Sequence, residues 1–161
     1  MTFYREVRDS LGLTREQASV LLETIEPAKI ERIENEKTLP SPEDVMIMAE
    51  RYGEPNIRNY YCANQCPMGQ HFVPIIKFTE LEKTVLKLIA SLNSMHAKQD
   101  KLIEIAEDGQ ITDNEILDFI SIQKDLERVS LAVSALELWT EKMMSSGLIN
   151  LEQYEELINR K

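Results

Sequence analysis

Apolar residues recur at spacings of three and four in the first third of the chain, which is the pattern of amphipathic helices. They fall at Ala18, Leu21, Leu22, Ile25, Ile30 and Ile33. A break at Thr24-Ile25 predicts two short helices, in REQASVLLE at 15–23 and EPAKIERIENE at 26–36, that share an inner face across a tight turn. Further apolar positions predict supporting helices on both sides: Val7, Leu11, Val45, Met48, Ala49 and Tyr52. Residues 1–56 are thus predicted to form a helix-turn-helix domain of four to five helices.

Longer apolar runs follow in the second half of the chain. The first is Phe78, Leu81, Val85, Leu88, Leu92, Met95, Leu102 and Ala106. The second is Phe119, Ile122, Leu126, Val129, Val133, Leu136 and Met143. Alternating spacings of three and four predict a heptad seam on two long helices. A Gly-containing turn at 107–110 predicts that they form an antiparallel hairpin, and residues 150–161 predict a short C-terminal helix.

The fold class expected is therefore all-α, in three parts. Residues 1–56 are the helix-turn-helix domain, 57–77 an ordered connector with two cysteines, and 78–161 the helical hairpin with its short C-terminal helix. The second long helix also carries a further apolar row: Ile116, Ile120, Leu131, Ala135 and Leu138. Two helices cannot cover both rows, so we expect either a homodimer through the C-terminal helices or an intrachain bundle.

Helix starts are marked by residue pairs that fit the capping box, in which two side chains satisfy each other's free backbone N–H groups. The pairs begin at Thr14, Thr79 and Thr112, each followed three residues later by Gln or Glu. Ser41-Pro42-Glu43-Asp44 is a close variant with Pro at the first helical position.

Composition and charge limit the classes of function that we expect for this chain. The chain has 161 residues with 18 basic and 28 acidic side chains, a net charge of −10, so it is not expected to coat nucleic acid by bulk charge. One locally basic face would still suffice for DNA binding. No apolar run is long enough to span a membrane and no signal peptide is visible, so a cytoplasmic protein without membrane contact is expected. No phosphate-binding loop or nucleophile motif occurs, and we do not expect an enzyme.

Two segments, LGLTREQASVLL and IERIENEKTLPSPEDVMIMAERYG, resemble the Xre-type (phage-repressor-like) helix-turn-helix regulators. The shared features are the Leu-Thr-x-x-Gln-Ala entry, the Ile-Glu-Asn triplet at 33–35 and the Pro before the fourth helix, all within the N-terminal third. The resemblance implies a transcriptional regulator that places recognition helix 26–35 in the major groove of a double-stranded DNA operator. The DNA-binding residues that it implies are Arg15, Gln17, Pro27, Ala28, Lys29, Glu31, Arg32 and Lys37. The C-terminal helices would then dimerise or receive a signal.

The chain departs from this family in its acidity. Glu26 and Glu31 stand where polar or basic residues are usual, and Glu36 stands where Gly often closes the helix. Residues 1–70 contain 8 basic and 12 acidic side chains, a net of −4. One glutamate can accept from cytosine, but two beside phosphates oppose docking. An acidic adaptor that binds a protein partner instead of DNA is therefore the alternative function, whereas Glu34 is expected to bond within the fold.

The connector contains Cys62-x3-Cys66-x4-His71, which has zinc-ligand residue types at an allowed spacing. Zinc needs four ligands and only three candidates occur here. We favour two thiols that pack within the connector, so no cofactor is expected. A zinc site and a redox-responsive cysteine pair remain the alternatives.

Overall fold

A computed structural model describes residues 2–107 and 109–159 of the chain. Within these residues it contains ten helices and no strand, which confirms the all-α fold class. The helices are α1 Phe3–Ser10, α2 Arg15–Leu22, α3 Pro27–Glu34, α4 Pro42–Arg51, α5 Asn56–Asn64, α6 Gly69–Phe72, α7 Leu81–His96, α8 Gln99–Glu107, α9 Ile116–Ser145 and α10 Leu151–Ile158.

The chain divides into two compact units whose boundaries differ from the ranges expected from sequence. The first contains the described residues up to Ile76 together with those from Thr140 onward, and the second is Lys77–Trp139. The expected connector contains α6 and all of α5 except Asn56, and it belongs to the first unit up to Ile76. Ile57 is fully buried in that unit's core, and Asn59 binds the backbone of the segment's other end at Ile76, 2.9 Å away.

The core of the first unit gathers the apolar faces of α1 to α5. Its buried members are Tyr4, Val7, Ala18, Leu22, Ile25, Ile30, Ile33, Val45, Met48, Ala49, Tyr52 and Ile57. The predicted shared inner face of α2 and α3 is thus confirmed, and Leu21 packs against it half-buried. Leu11 is the exception, since it lies at the C-terminal cap of α1 and is 45% exposed.

Two of the predicted helix starts are complete capping boxes. Thr14 exchanges hydrogen bonds with Gln17 before α2, and Ser41 does so with Asp44 before α4. The box predicted at Thr79 does not form. The α7 helix begins one residue later than that box requires, and the Thr79 hydroxyl instead contacts the hydroxyl of Thr84 at 2.7 Å.

The second unit contains an antiparallel helical hairpin, as the sequence predicts. Ser94 Oγ donates to Asp125 at 2.8 Å, and Lys98 Nζ donates to Ser121 at 2.7 Å. Lys101 lies 3.8 Å from Asp118. Residue numbers fall on α9 as they rise along α7 and α8, so the two sides run in opposite directions.

The first side of the hairpin is not one long helix. The helix α7 ends at His96 and α8 begins at Gln99, although the three-four apolar spacing continues through the break. Within the predicted turn at 107–110, Asp108 lies outside the described residues.

Polar groups occupy the middle of the contact between the two sides of the hairpin. Asp125 is fully buried and accepts hydrogen bonds from Lys98 at 2.6 Å, from Ser94 and from Arg128 at 2.7 Å. The hydrogen bond from Lys98, followed by that from Ser94, holds the pKa of Asp125 below its usual value. Ile122 of the predicted seam is buried. Four other seam residues are exposed by 40 to 49%: Phe78, Leu92, Leu126 and Val133.

The end of α9 and the helix α10 belong to the first unit. The predicted glycine cap is present, since Gly147 has a φ of +72° just after α9 ends. Lys142 donates to the backbone oxygen of Gly53 at 2.8 Å and to Glu54 at 2.7 Å. No helix among the described residues is both long and apolar enough to cross a bilayer.

Candidate nucleic-acid interface

A sharp turn with a positive φ joins α2 and α3, the two helices of the predicted helix-turn-helix. Glu23 ends α2 with φ 61° and ψ −44°, and the Thr24 N–H donates back to the Leu22 oxygen at 2.6 Å. This is a γ-turn of the strained kind, which L-residues rarely adopt. The turn lets α3 begin at Pro27 and pack on α2, where the fully buried Ala18 leaves room for the close approach.

Glu34 anchors the C-terminal end of α3 inside the domain. Its carboxylate accepts from Arg8 Nε at 2.5 Å and Nη2 at 3.0 Å, and from Arg15 Nε at 2.9 Å. The Glu34 side chain is only 1% exposed, so this is a buried ionic cluster. The hydrogen bond with Glu34 raises the pKa of Arg8 further above its usual value. The expectation that Glu34 bonds within the fold is confirmed.

Lys29 is likewise engaged inside the domain. Its Nζ lies 2.7 Å from Oδ1 of Asp44, whose other oxygen accepts from the Ser41 N–H at 2.8 Å. Burial raises the pKa of Asp44, but the hydrogen bonds from Lys29 and Ser41 outweigh burial and leave that pKa below its usual value. This link joins the middle of α3 to the start of α4.

The outer side of α3 carries an exposed row formed by Ala28, Glu31 and Arg32, and the exposed Lys37 follows the helix. Pro27 is half-buried. These residues lie three to four positions apart along the helix and so share one face. Within the described part of the chain, no hydrogen bond or ion pair engages the side chains of Glu31, Arg32 or Lys37.

The other two predicted contacts lie on α2, which packs on α3. Gln17 is exposed, but its side-chain oxygen already accepts from the Thr14 N–H at 2.8 Å. The Arg15 side chain is 30% exposed and uses Nε for Glu34. Its two terminal nitrogens are the part of the side chain that can reach an outside acceptor.

Ion pairs within the fold neutralise most of the basic side chains in the N-terminal region, residues 1–70. Six of the eight basic residues in 1–70 have an acidic partner: Arg5 with Asp9, Arg8 and Arg15 with Glu34, Lys29 with Asp44, Arg51 with Glu23, and Arg58 with Glu141. The two without one in this described stretch are Arg32 and Lys37. Glu26, Glu31 and Glu36 are exposed in the same region.

The two cysteines lie on and just after α5 as free, half-buried thiols, whereas His71 on α6 is exposed. Among the described residues, no three His, Cys, Asp or Glu side chains are grouped to hold a metal ion. Gly69 lies directly against the backbone of Cys62, where any larger side chain would collide. That close approach is what lets α6 pack on α5.

A surface cleft of about 350 Å³ in the first unit was not predicted from sequence. It is lined by Met46, Ala49, Glu50, Pro55, Arg58, Glu141, Met144, Ser145 and Leu151. Its walls come from α4 and α5 on one side and from the end of α9 and the start of α10 on the other. Contacts between residues more than eighty positions apart form it, and periodicity within a helix does not report such contacts.

The chain matches no family model, no curated protein and no solved structure. The candidate interface therefore stands on its own geometry.

Proposed function

We propose that this chain is a sequence-specific DNA-binding transcriptional regulator that places α3 in the major groove. The observation that carries the proposal is the exposed row of Ala28, Glu31 and Arg32 on a helix whose other side is anchored by Glu34. A methyl group, a carboxylate and a guanidinium are groups that read thymine, cytosine and guanine edges respectively. Lys37 and the terminal nitrogens of Arg15 would contact phosphates.

The proposal includes a homodimer formed through the C-terminal helices, because dimeric helix-turn-helix proteins with two-fold symmetry bind paired half-sites in DNA. The proposal also includes a cytoplasmic location and no catalytic activity. The second unit exposes several large apolar side chains, including Leu92 and Leu126, and this exposure supports association.

A second function, an acidic adaptor that binds a protein partner, is favoured by the charges around α3. Only Arg32 and Lys37 lack an acidic partner in the described part of residues 1–70, and Glu26, Glu31 and Glu36 are exposed nearby. Few available cations mean weak non-specific attraction to phosphates. A basic patch on a partner protein would meet the same surface without that penalty.

Selection of bound fragments from random double-stranded DNA at low salt separates the two functions. The regulator predicts an enriched motif, and Arg32→Ala should weaken binding to it by about ten-fold or more, since one base contact contributes about 1–3 kcal/mol. Lys124→Ala removes the same charge from the exposed side of α9 and should leave the affinity unchanged. Absence of any enriched motif, or equal binding by Arg32→Ala, would establish that the regulator proposal is wrong.

A further inference from the structure

One side of the helical hairpin carries an apolar surface that the hairpin itself does not cover. We call it the hairpin face and define it by Val85 and Leu92 on α7 and Phe119, Leu126 and Val133 on α9. Leu92 and Leu126 are each 49% exposed, Val133 is 40% exposed, and the other two are half-buried. On each helix the members recur every seven residues, which is the spacing of residues that pack against another helix.

The hairpin face lies immediately beside the line of contact between the two helices. On α7 that line contains the buried Thr84 and Ser91, and on α9 it contains Asp125 and the buried Ala132. Val85, Leu92, Leu126 and Val133 each directly follow a residue of this line, and Phe119 lies one heptad before Leu126 on the same side of α9. One residue is a rotation of about 100° around a helix.

An equal rotation on both helices leads to the same side of the hairpin because α7 and α9 are antiparallel. In a parallel pair the same step would lead to opposite sides. The contacts of Ser94 with Asp125 and of Lys98 with Ser121 also set the register. That register brings Leu92 close to the level of Leu126, and Val85 close to the level of Val133. The residues thus form paired levels across one surface.

The neighbours that lie between these residues are uncharged, namely Leu88, Ile89, Gln123 and Ser130, whereas Glu82, Glu115 and Glu137 lie three or four residues beyond Val85, Phe119 and Val133 at the ends of the surface. Depletion of charge at an apolar centre is typical of the core of a protein interface. A partner with heptad-spaced apolar residues of its own fits such a surface best.

We propose that the hairpin face binds the hairpin face of a second copy of this chain and forms a bundle of four helices. Both helices of the hairpin present the same seven-residue row, so a two-fold axis lying in the plane of this surface sets row against row. This inference names the dimer surface that the proposed function requires, and it rests on that proposal only for its biological use.

The size of the surface limits the strength of the association. The outer levels, at Val85 and at Phe119, are about 21 Å apart at 1.5 Å per residue, and the surface is two helices wide, about 18 Å. Each copy thus contributes roughly 400 Å², so the total is below the roughly 1,000 Å² of stable specific interfaces and in the range of weak, transient association. Self-association in the micromolar range is the expected result.

Sedimentation equilibrium of the full chain between 1 and about 200 µM tests the inference. The mass should rise from 18.6 kDa toward twice that value across this range. Leu92→Lys and Leu126→Lys should each weaken the association at least ten-fold, because they place like charges in the centre of the interface. Leu86→Lys and Leu117→Lys are matched controls on the same two helices, at residues that are 67% and 77% exposed and outside the hairpin face.

All four substitutions are at exposed positions, and far-UV circular dichroism should show unchanged helix content for each. A chain that stays monomeric at the highest concentration overturns the inference, and so does a dimer that all four variants weaken equally or not at all. If only the substitutions at Leu92 and Leu126 weaken the dimer and the chain selects no DNA motif, the hairpin face is supported as the dimer surface and the DNA-binding proposal is wrong.

Discussion

At the residue scale, the feature that sets the angle between α2 and α3 is a strained backbone. Glu23 adopts φ 61° and ψ −44°, a region that is costly for any side chain with a Cβ. The sequence places a break here but gives no sign of this strain, since Glu favours helices. The residue also pairs with Arg51 at 3.2 Å, but both side chains are largely exposed.

We expect Glu23→Gly to raise the free energy of unfolding by about 0.5–1 kcal/mol. Glycine removes a strain of about 1–2 kcal/mol, and the greater freedom of the unfolded chain offsets part of that gain. Chemical denaturation measures the change. Glu23→Gln is the control, because it removes the ion pair and keeps the strain, and it should lower stability by less than about 0.5 kcal/mol. Strain at this turn is refuted if the glycine variant is the less stable of the two.

The acidic residues in the segment from Glu26 to Asp44 have different structural roles. Glu34 neutralises two arginines inside the domain, and Asp44 caps α4 while it pairs with Lys29. Glu26 precedes Pro27 at the N-cap of α3 without a capping hydrogen bond. Glu31 is the acid that remains on the outward row of α3, and it is the residue on which DNA reading and protein binding differ most.

At the element scale, Asp44 connects α3 to α4 only while its carboxyl group is ionised. Its folded-state pKa is lowered, so its contribution is fully present above the unfolded pKa of about 3.8 and is lost as pH falls through the folded value. Asp44→Asn should therefore lower the free energy of unfolding by about 2 kcal/mol at pH 7, the scale of a charged hydrogen bond. The difference from the unaltered chain should shrink as pH drops below about 4.

Urea denaturation at pH 7, 5, 4 and 3 measures this difference directly. Glu43→Gln serves as the control because Glu43 lies in the same first turn of α4 and is exposed. It should change stability by less than about 0.5 kcal/mol. A gap between Asp44→Asn and the unaltered chain that stays constant down to pH 3 contradicts the role assigned to the Asp44 carboxylate.

Sequence patterns predicted the elements well wherever local chemistry determines them. Thr14 and Ser41 mark helix starts because their capping boxes involve residues three positions apart, and Ile30 and Ile33 mark the inner face of α3 by spacing alone. The break after His96 went unpredicted because the apolar spacing continues across it. Prediction also failed for α5, whose mixture of aromatic and polar residues hides the helical period.

The candidate site likewise has one part that sequence spacing predicts and another part that it does not. The exposed row on α3 follows from helical spacing, but the partners of Arg15 and Lys29 lie 19 and 15 residues away. Pairings at that range depend on how helices pack, which a one-dimensional pattern does not record. The cleft beside Arg58 and Glu141 depends on still more distant contacts.

At the scale of the whole molecule, a net charge of −10 must coexist with DNA binding if the proposed function holds. Arg32 and Lys37 are the cations of the described N-terminal region that no acidic partner engages. If Lys37 and the terminal nitrogens of Arg15 each contact one phosphate, as proposed above, a dimer neutralises four phosphates, and log K should fall with log salt with a slope of about −3.6. A slope of that size is shallow beside those of strongly basic DNA readers.

Fluorescence anisotropy with the selected DNA site, measured from low salt to about 200 mM, gives this slope. Lys37→Ala removes one phosphate contact from each copy, so the slope should become shallower by about 1.8 for a dimer and by about 0.9 for a monomer. Lys124→Ala, an equal loss of charge on α9, should leave the slope unaltered. An unchanged slope in Lys37→Ala means that Lys37 touches no phosphate. A change near 0.9 means that one copy binds alone, so the same measurement tests both the DNA contact and the two-fold assembly.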